Sequence, residues 1–199
     1  MSIKNIHISF NAPGVLLFAG ICLIVMLLST ISGGFITEKF FMTYHSSLLN
    51  PLTYVRFLTH VFGHGSWTHF MGNMAFVLLL GPLLEEKYGA KFIWQVIAIT
   101  AVTTGLVSYL LFPNIALCGA SGVVFAFILL SSFTSFSEGE IPLTFILVAL
   151  IYLGEQVITG LTVQDDIANF SHIIGGIIGM IFGYFMNKQA NRPKDKAGL

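Results

Sequence analysis

Six apolar runs, set apart by the few charges the chain carries, limit its fold more than any other feature. They extend over about Gly14 to Ile31, Trp67 to Leu84, Lys91 to Phe112, Ser121 to Phe136, Pro142 to Ile158 and Ala168 to Met186. Crossing the hydrocarbon core takes roughly 20 apolar residues as a helix. Within that core each backbone N–H and C=O needs a partner inside the protein, and a helix supplies it. The sequence is 55% hydrophobic and 9% charged, against about 25% charged in soluble domains, so there is too little polar surface to cover a soluble globule. An all-α membrane protein of one domain with six transmembrane helices is expected. The flank Ser32-Gly33-Gly34 would also suit the end of a signal peptide; the length of the first run favours a span. A net charge of zero gives no hint of nucleic acid. Cys22 and Cys118 fit neither a disulfide framework nor a zinc site.

Six spans put both termini on one face, and the bias of Lys and Arg says which. With the termini inside, the inner set is Lys4, Lys87, Lys91, Lys188, Arg192, Lys194 and Lys196, and the outer set is Lys39 and Arg56. The second, fourth and sixth helices then run inward from the outer face. Ser121 opens the fourth, His69 lies near the start of the second, and His172 near the start of the sixth. Three polar groups on separate helices thus share one level. The fourth run is short of the roughly 30 Å core, so Ser121 is expected below the outer surface. It would be reached by the loop of residues 112–120, backbone that is tolerated at depth only in contact with protein or a wet cavity.

At about 100° per residue, Gly175, Gly179 and Gly183 fall on the His172 side of the sixth helix. A glycine stripe admits a neighbouring backbone, and the fourth helix, with Gly122 and Ala126, is the natural partner. On the second helix His69 and Asn73 are four apart and share a face. His60 and His64 lie in the approach to it, where a purely structural hydrogen-bonding role is the simpler reading.

A serine hydroxyl becomes a nucleophile when a neighbouring base takes its proton, and an imidazole suits that task. Acyl transfer also needs hydrogen-bond donors for the tetrahedral oxyanion. Asn73, His69 and the Ser121 N–H at a helix N-terminus can donate, and Gly119, Ala120 and Gly122 leave room for a substrate backbone. Asp165 and Asp166 precede His172 in a loop, but nothing orients them toward it, which points to a Ser121–His172 dyad rather than a triad.

The ordered set Arg56, His60-x3-His64-x4-His69-x3-Asn73, Gly119-Ala120-Ser121-Gly122 and Ala168-Asn169-x2-His172-x2-Gly175-x3-Gly179 resembles the rhomboid intramembrane serine proteases of the compact bacterial GlpG type. The likeness covers about residues 51 to 187. It implies a six-transmembrane-helix rhomboid bundle with a long interfacial loop between the first two helices. It also implies Ser121 as nucleophile, His172 as general base, and an oxyanion hole of His69, Asn73 and the Ser121 amide. His60, His64, Gly119, Phe125 and Asn169 would be supporting residues. The family cuts transmembrane protein substrates near their outer ends, often after a small residue, among membrane lipids and with no metal or organic cofactor. By the same likeness the chain divides into a short cytoplasmic N-terminus (1–12), a protease domain (13–187) and a basic cytoplasmic tail (188–199), in a bacterial inner membrane. There are departures. Val55 precedes the loop arginine where tryptophan is frequent, and Phe125 replaces the usual tyrosine that packs on the catalytic histidine. The stacking surface is kept and the hydroxyl lost. About a dozen residues precede the first span, where some relatives carry a soluble domain.

The segment from Ser32 to Ser66 is apolar for a loop, with Phe35, Phe40, Phe41, Tyr44 and Phe57, and suits an interfacial position. A structural brace is its expected role. Two rival chemistries are open. His60, His64 and His69 could gather a metal, although no carboxylate stands among them as a base and no HExxH is present. A non-catalytic scaffold with the same fold would be marked by loss of the nucleophile or base, and both are present. Cys118, three residues before Ser121, is a further candidate nucleophile, though cysteines in apolar settings are usually inert.

Overall fold

The computed structural model describes residues 10–132, 141–162 and 166–190, and among these the chain is helical with one isolated β-bridge. The helices are α1 (Pro13–Ile31), α2 (Phe35–Phe40), α3 (Pro51–Thr59), α4 (Trp67–Tyr88), α5 (Ala90–Leu111), α6 (Ser121–Ser132), α7 (Leu143–Thr162) and α8 (Asp166–Ala190), with a 3₁₀ turn at His60–Phe62. By length and composition, α1, α4, α5 and residues 169–186 of α8 can cross a membrane; α6 is apolar but shorter. Large apolar side chains such as Leu17, Ile24, Leu79, Leu83, Leu110, Leu150 and Phe185 are exposed, an outer surface made for lipid rather than water.

Some expected boundaries change. The second run continues as helix to Tyr88, past Glu85, and through Pro82. Asp166 is the first residue of α8, not part of a loop; Asp165 lies outside the described residues, as do 133–136 of the expected fourth run. The connection read as a long loop holds two helices and the 3₁₀ turn. α3 has a local cause: Pro51 occupies its first turn, and the Asn50 side chain accepts from the Leu52 N–H. Pro fits a first turn because its missing N–H would have no intrahelical partner.

α6 is the central helix. All of Gly122 to Leu130 is buried, and α4, α5, α7 and α8 surround it, with α8 in the most extensive contact. A helix apolar on every side belongs in such a position. Gly175 and Gly179 of α8 face it as the wheel predicts. A Cβ added at Gly175 would land on the Gly122 carbonyl oxygen, and one at Gly179 on that of Ala126. The two backbones are therefore in direct contact at two points one turn apart. Ile177, on the opposite face, is 42% exposed.

At the far end of α4 the Glu85 carboxylate accepts from the N–H groups of Gly14 (2.9 Å) and Val15 (2.8 Å). These are among the N–H groups that a helix N-terminus leaves without an intrahelical partner, and a carboxylate there also complements the helix dipole. This brace ties α1 to α4. Consecutive acids, Glu85-Glu86, at the end of an apolar run were its only trace in the sequence.

Candidate active site

The segment between α1 and α4 builds the frame for Ser121. Arg56 is buried on α3, its Nε donating to the Lys39 carbonyl at 2.9 Å and its guanidinium lying 4.3 Å from the Tyr44 ring centroid. Thr43 and Leu117 exchange backbone hydrogen bonds of 2.9 and 2.8 Å. One step on, the Gly119 N–H donates to the His60 carbonyl at 2.9 Å. The segment thus holds the loop that leads into α6 at two points.

Gly119 is a position that only glycine fills without strain. Its φ is +126°, and a Cβ there would strike the His69 ring and sit 3.6 Å from Asn73 Nδ2. The loop is pressed against α4 at Gly119 and passes into α6 at Ser121, where Gly122 faces the Ser171 carbonyl of α8. Over a few residues the chain crosses from α4 to α8, with Ser121 between them.

α4 is capped by the Ser66 hydroxyl, which accepts from the His69 N–H at 3.1 Å. That cap fixes the first turn, and His69 and Asn73 follow on one face. A cavity of about 460 Å³ opens there. Its walls are Thr68, His69, Gly72, Asn73 and Phe76 of α4, Leu117 and Cys118 of the loop, Ser121, Val124 and Phe125 of α6, and His172 of α8. Asn73 is 7% exposed, and its Nδ2 has no hydrogen-bond partner among the described residues. A buried amide donor left unpaired costs free energy, so this one is available to an acceptor that enters the cavity. Phe125 stacks flat on His172, with 4.3 Å between ring centroids and 4° between planes.

Four expected site residues, Ser121, His172, His69 and Asn73, therefore share one cavity with Phe125. His60, His64 and Asn169 are buried and are not among its lining residues. His60 Nε2 lies 3.0 Å from the Ala101 carbonyl and 3.4 Å from the Thr104 hydroxyl on α5, as the structural reading of that residue expects. His64 packs edge-on against His69 (5.2 Å) and Phe70 (5.4 Å). Burial lowers the pKa of each to about 4, with the neighbouring His69 adding to the effect on His64, so both are neutral at pH 7. Among the described residues no three His, Cys, Asp or Glu side chains gather as a metal would require.

Thr68, Gly72, Phe76 and Val124 of the cavity wall were not singled out in the sequence. Gly72 and Phe76 continue the His69–Asn73 face at helical spacing, and this could have found them. Thr43 gave no such signal, because an isolated bridge to Leu117 leaves no periodic pattern. Thr100 and Thr104, four apart on α5 and in reach of Gly122 and His60, could have been noticed as a polar stripe in an apolar helix.

Comparison with known proteins matches the rhomboid domain family to residues 51–189. The chain is similar to the Rhomboid protease GlpG of Haemophilus influenzae, 26% identical over 137 residues that cover 67% of this chain and 70% of that protein. It is similar to Rhomboid-related protein 1 of Caenorhabditis elegans, 32% identical over 141 residues, 65% of this chain and 39% of the relative. Rhomboid-like protein 11, chloroplastic, of Arabidopsis thaliana is 25% identical over 155 residues, 71% of this chain and 55% of the relative. The chain spans about half the length of the Arabidopsis relative and less of the nematode one. The likeness takes in α3 through α8, every helix that contributes to the cavity, and the chain belongs to the rhomboid family.

Proposed function

We propose that the protein is an intramembrane serine endopeptidase that hydrolyses transmembrane substrates near their outer ends by a Ser121–His172 dyad. The observation that carries this reading is the single cavity shared by Ser121, His172, His69 and Asn73, drawn from three helices. His172 takes the proton of the Ser121 hydroxyl as that oxygen attacks the scissile carbonyl. The carbonyl oxygen gains negative charge and accepts hydrogen bonds from Asn73 Nδ2, His69 and the Ser121 N–H. The first N–H groups of a helix have no intrahelical partner and point along its axis, which suits the last of these. His172 then passes its proton to the leaving amine. Water, activated by the same imidazole, releases the acyl group from Ser121. Phe125 supports the imidazole plane throughout, and Gly119 keeps the His69 ring clear of the loop.

In this reading α6 and α7 join α1, α4, α5 and α8 as six spans. Both termini face the cytoplasm of a bacterial inner membrane, and Ser121 opens toward the outer side. The test is mass-spectrometric mapping of a serine-directed fluorophosphonate, together with cleavage of a transmembrane reporter in detergent. Label on Ser121, with no cleavage by Ser121→Ala or His172→Ala, is expected. Near parental cleavage by either variant overturns the dyad.

A further inference from the structure

Of the three hydrogen-bond donors aimed at the oxyanion in the reading above, His69 is the least constrained. The Ser121 N–H is backbone, and the Asn73 side chain is buried. His69 stands in the first turn of α4, partly exposed to the cavity, and its ring can turn about two side-chain bonds. A donor serves catalysis when it is aimed before the charge develops, so this ring has to be held.

Two neighbours meet it. Its Cε1–Nε2 edge faces the loop: a Cβ added at Gly119 would fall 2.5 Å from Cε1 and 2.7 Å from Nε2. The His64 ring meets it at 5.2 Å between centroids and 70° between planes, an edge-to-face geometry of the kind aromatic pairs prefer. His64 is 1% exposed and stands edge-on to Phe70, which in turn is edge-on to Trp67. The structural hydrogen-bonding role expected of His64 is not what this ring performs. Neither of its nitrogens has a hydrogen-bond partner among the described residues, and its approach to the Phe62 backbone falls short of that geometry. Nor is His64 a lining residue of the cavity, so it acts on a substrate only through another residue.

We propose that His64 is a positioning residue that holds the His69 imidazole as an oxyanion donor, by ring packing and not through its nitrogens. This rests on the function proposed above. Gly119 has no side chain and bounds one edge of the imidazole. Without the His64 ring a space opens beside His69 into which the imidazole can swing, and a shift of about 1 Å at a reacting centre can cost on the order of 10² in rate.

The experiment is a double-mutant cycle on the full chain in detergent, with cleavage of a transmembrane reporter scaled to the amount of Ser121 that takes a fluorophosphonate. That scaling removes any loss of folded protein from the comparison. His64→Ala should lower kcat about tenfold, with KM within twofold of the parent. His64→Phe keeps a flat ring and drops both nitrogens, and should restore kcat to within about threefold of the parent. In a His69→Ala background His64→Ala should have no further effect, because the residue it positions is gone. A role confined to stability would lower the melting temperature and leave kcat unchanged. If His64→Ala does not accumulate as folded protein, His64→Leu, which fills the site without a ring, takes its place with the same expectation. Three results overturn the proposal: parental kcat in the ringless variant, a loss in His64→Phe as large as in that variant, or the same tenfold loss with His69 already removed. Parental kcat in His69→Ala, or a parent that neither cuts the reporter nor takes the label at Ser121, would instead overturn the functional reading beneath it.

Discussion

The ring of Phe125 lies flat on that of His172, 4.3 Å between centroids and 4° from parallel. One ring comes from α6, one turn beyond Ser121, and the other from α8. The stack therefore sets the imidazole plane relative to the helix that carries the hydroxyl. An aromatic pair is worth about 0.5–1.5 kcal/mol beyond its buried area, modest for stability. Its larger value is positional, because shifts of about 1 Å at a reacting centre can cost on the order of 10² in rate. Phe125→Ala should lower kcat about tenfold or more, while Phe125→Tyr, which keeps the face, should stay within a few-fold of the parent. Steady-state cleavage and the rate of fluorophosphonate labelling measure both. An alanine variant with parental kcat would show that the imidazole is held by other contacts.

Asn73 and His69 are expected to act through the oxyanion and not through the nucleophile. Asn73→Ala and His69→Ala should each slow cleavage on the order of 10²-fold, less where water replaces the missing donor. Ser121 should still react with a fluorophosphonate in both, more slowly. Full activity in the double variant would remove the oxyanion role from both residues.

His60 makes stability depend on pH. Its imidazole is buried between the 3₁₀ turn and α5, and burial holds its pKa near 4, against 6.5 for an ordinary histidine. Between those values the unfolded chain binds a proton that the folded chain does not. Stability is therefore full above about pH 6.5 and is lost as the pH falls toward 4. For this residue alone the loss between pH 7 and pH 5 is on the order of 2 kcal/mol. His60→Gln, which can still donate toward the Ala101 carbonyl, should show a smaller drop in melting temperature between those two pH values. An equal drop in both proteins would assign the dependence to other groups.

Glu85 offers a contrast between stability and catalysis. Its carboxylate holds two N–H groups of α1, and it is 16 residues along α4 from His69, about 24 Å at the helical rise. Glu85→Ala removes two charge-assisted hydrogen bonds, each roughly 1.5–3 kcal/mol before relaxation or water offsets it. The variant should melt several degrees lower, yet keep parental kcat well below its melting temperature. A large loss of kcat in folded protein would mean that α1 reaches the cavity through the bundle.

How much of this was readable in the sequence follows from the kind of interaction involved. The α6–α8 contact was legible because glycines at helical spacing have one physical use in a span, and Gly175 and Gly179 do meet Gly122 and Ala126. The shared level of His69, Ser121 and His172 followed from counting spans and charges. Asn73 followed because it is four residues from His69. The connection between α1 and α4 was legible only as a long apolar segment. It depends on the Asn50 cap of α3 and on tertiary partners, Arg56 with Lys39 and Thr43 with Leu117, that leave no periodic trace. Glu85 was opaque for the opposite reason. A charge at the end of an apolar run looks like an ordinary boundary, and its partners are backbone groups 70 residues away, with no side-chain signature at all.

The α6–α8 contact gives the most direct test of how packing reaches the site. A Cβ at Gly179 would fall on the Ala126 carbonyl oxygen, with the Ala126 carbonyl carbon and Cα both at 2.9 Å. All three are backbone atoms, so neither helix can yield by turning a side chain. Gly179→Val must separate the helices, and overpacking of this kind costs roughly 1–3 kcal/mol. The same separation draws His172, two turns away on α8, from Ser121 at the head of α6. Both melting temperature and kcat should therefore fall, with kcat down on the order of tenfold or more. Ile177 is on the outer face of the same helix and is 42% exposed. Ile177→Val removes one methyl group from that face and should change neither quantity appreciably. Thermal denaturation and reporter cleavage on the two proteins decide the matter. A Gly179→Val protein as stable and as fast as the parent would mean that the helices can part there without moving the imidazole, and the link from glycine stripe to catalytic geometry would be lost.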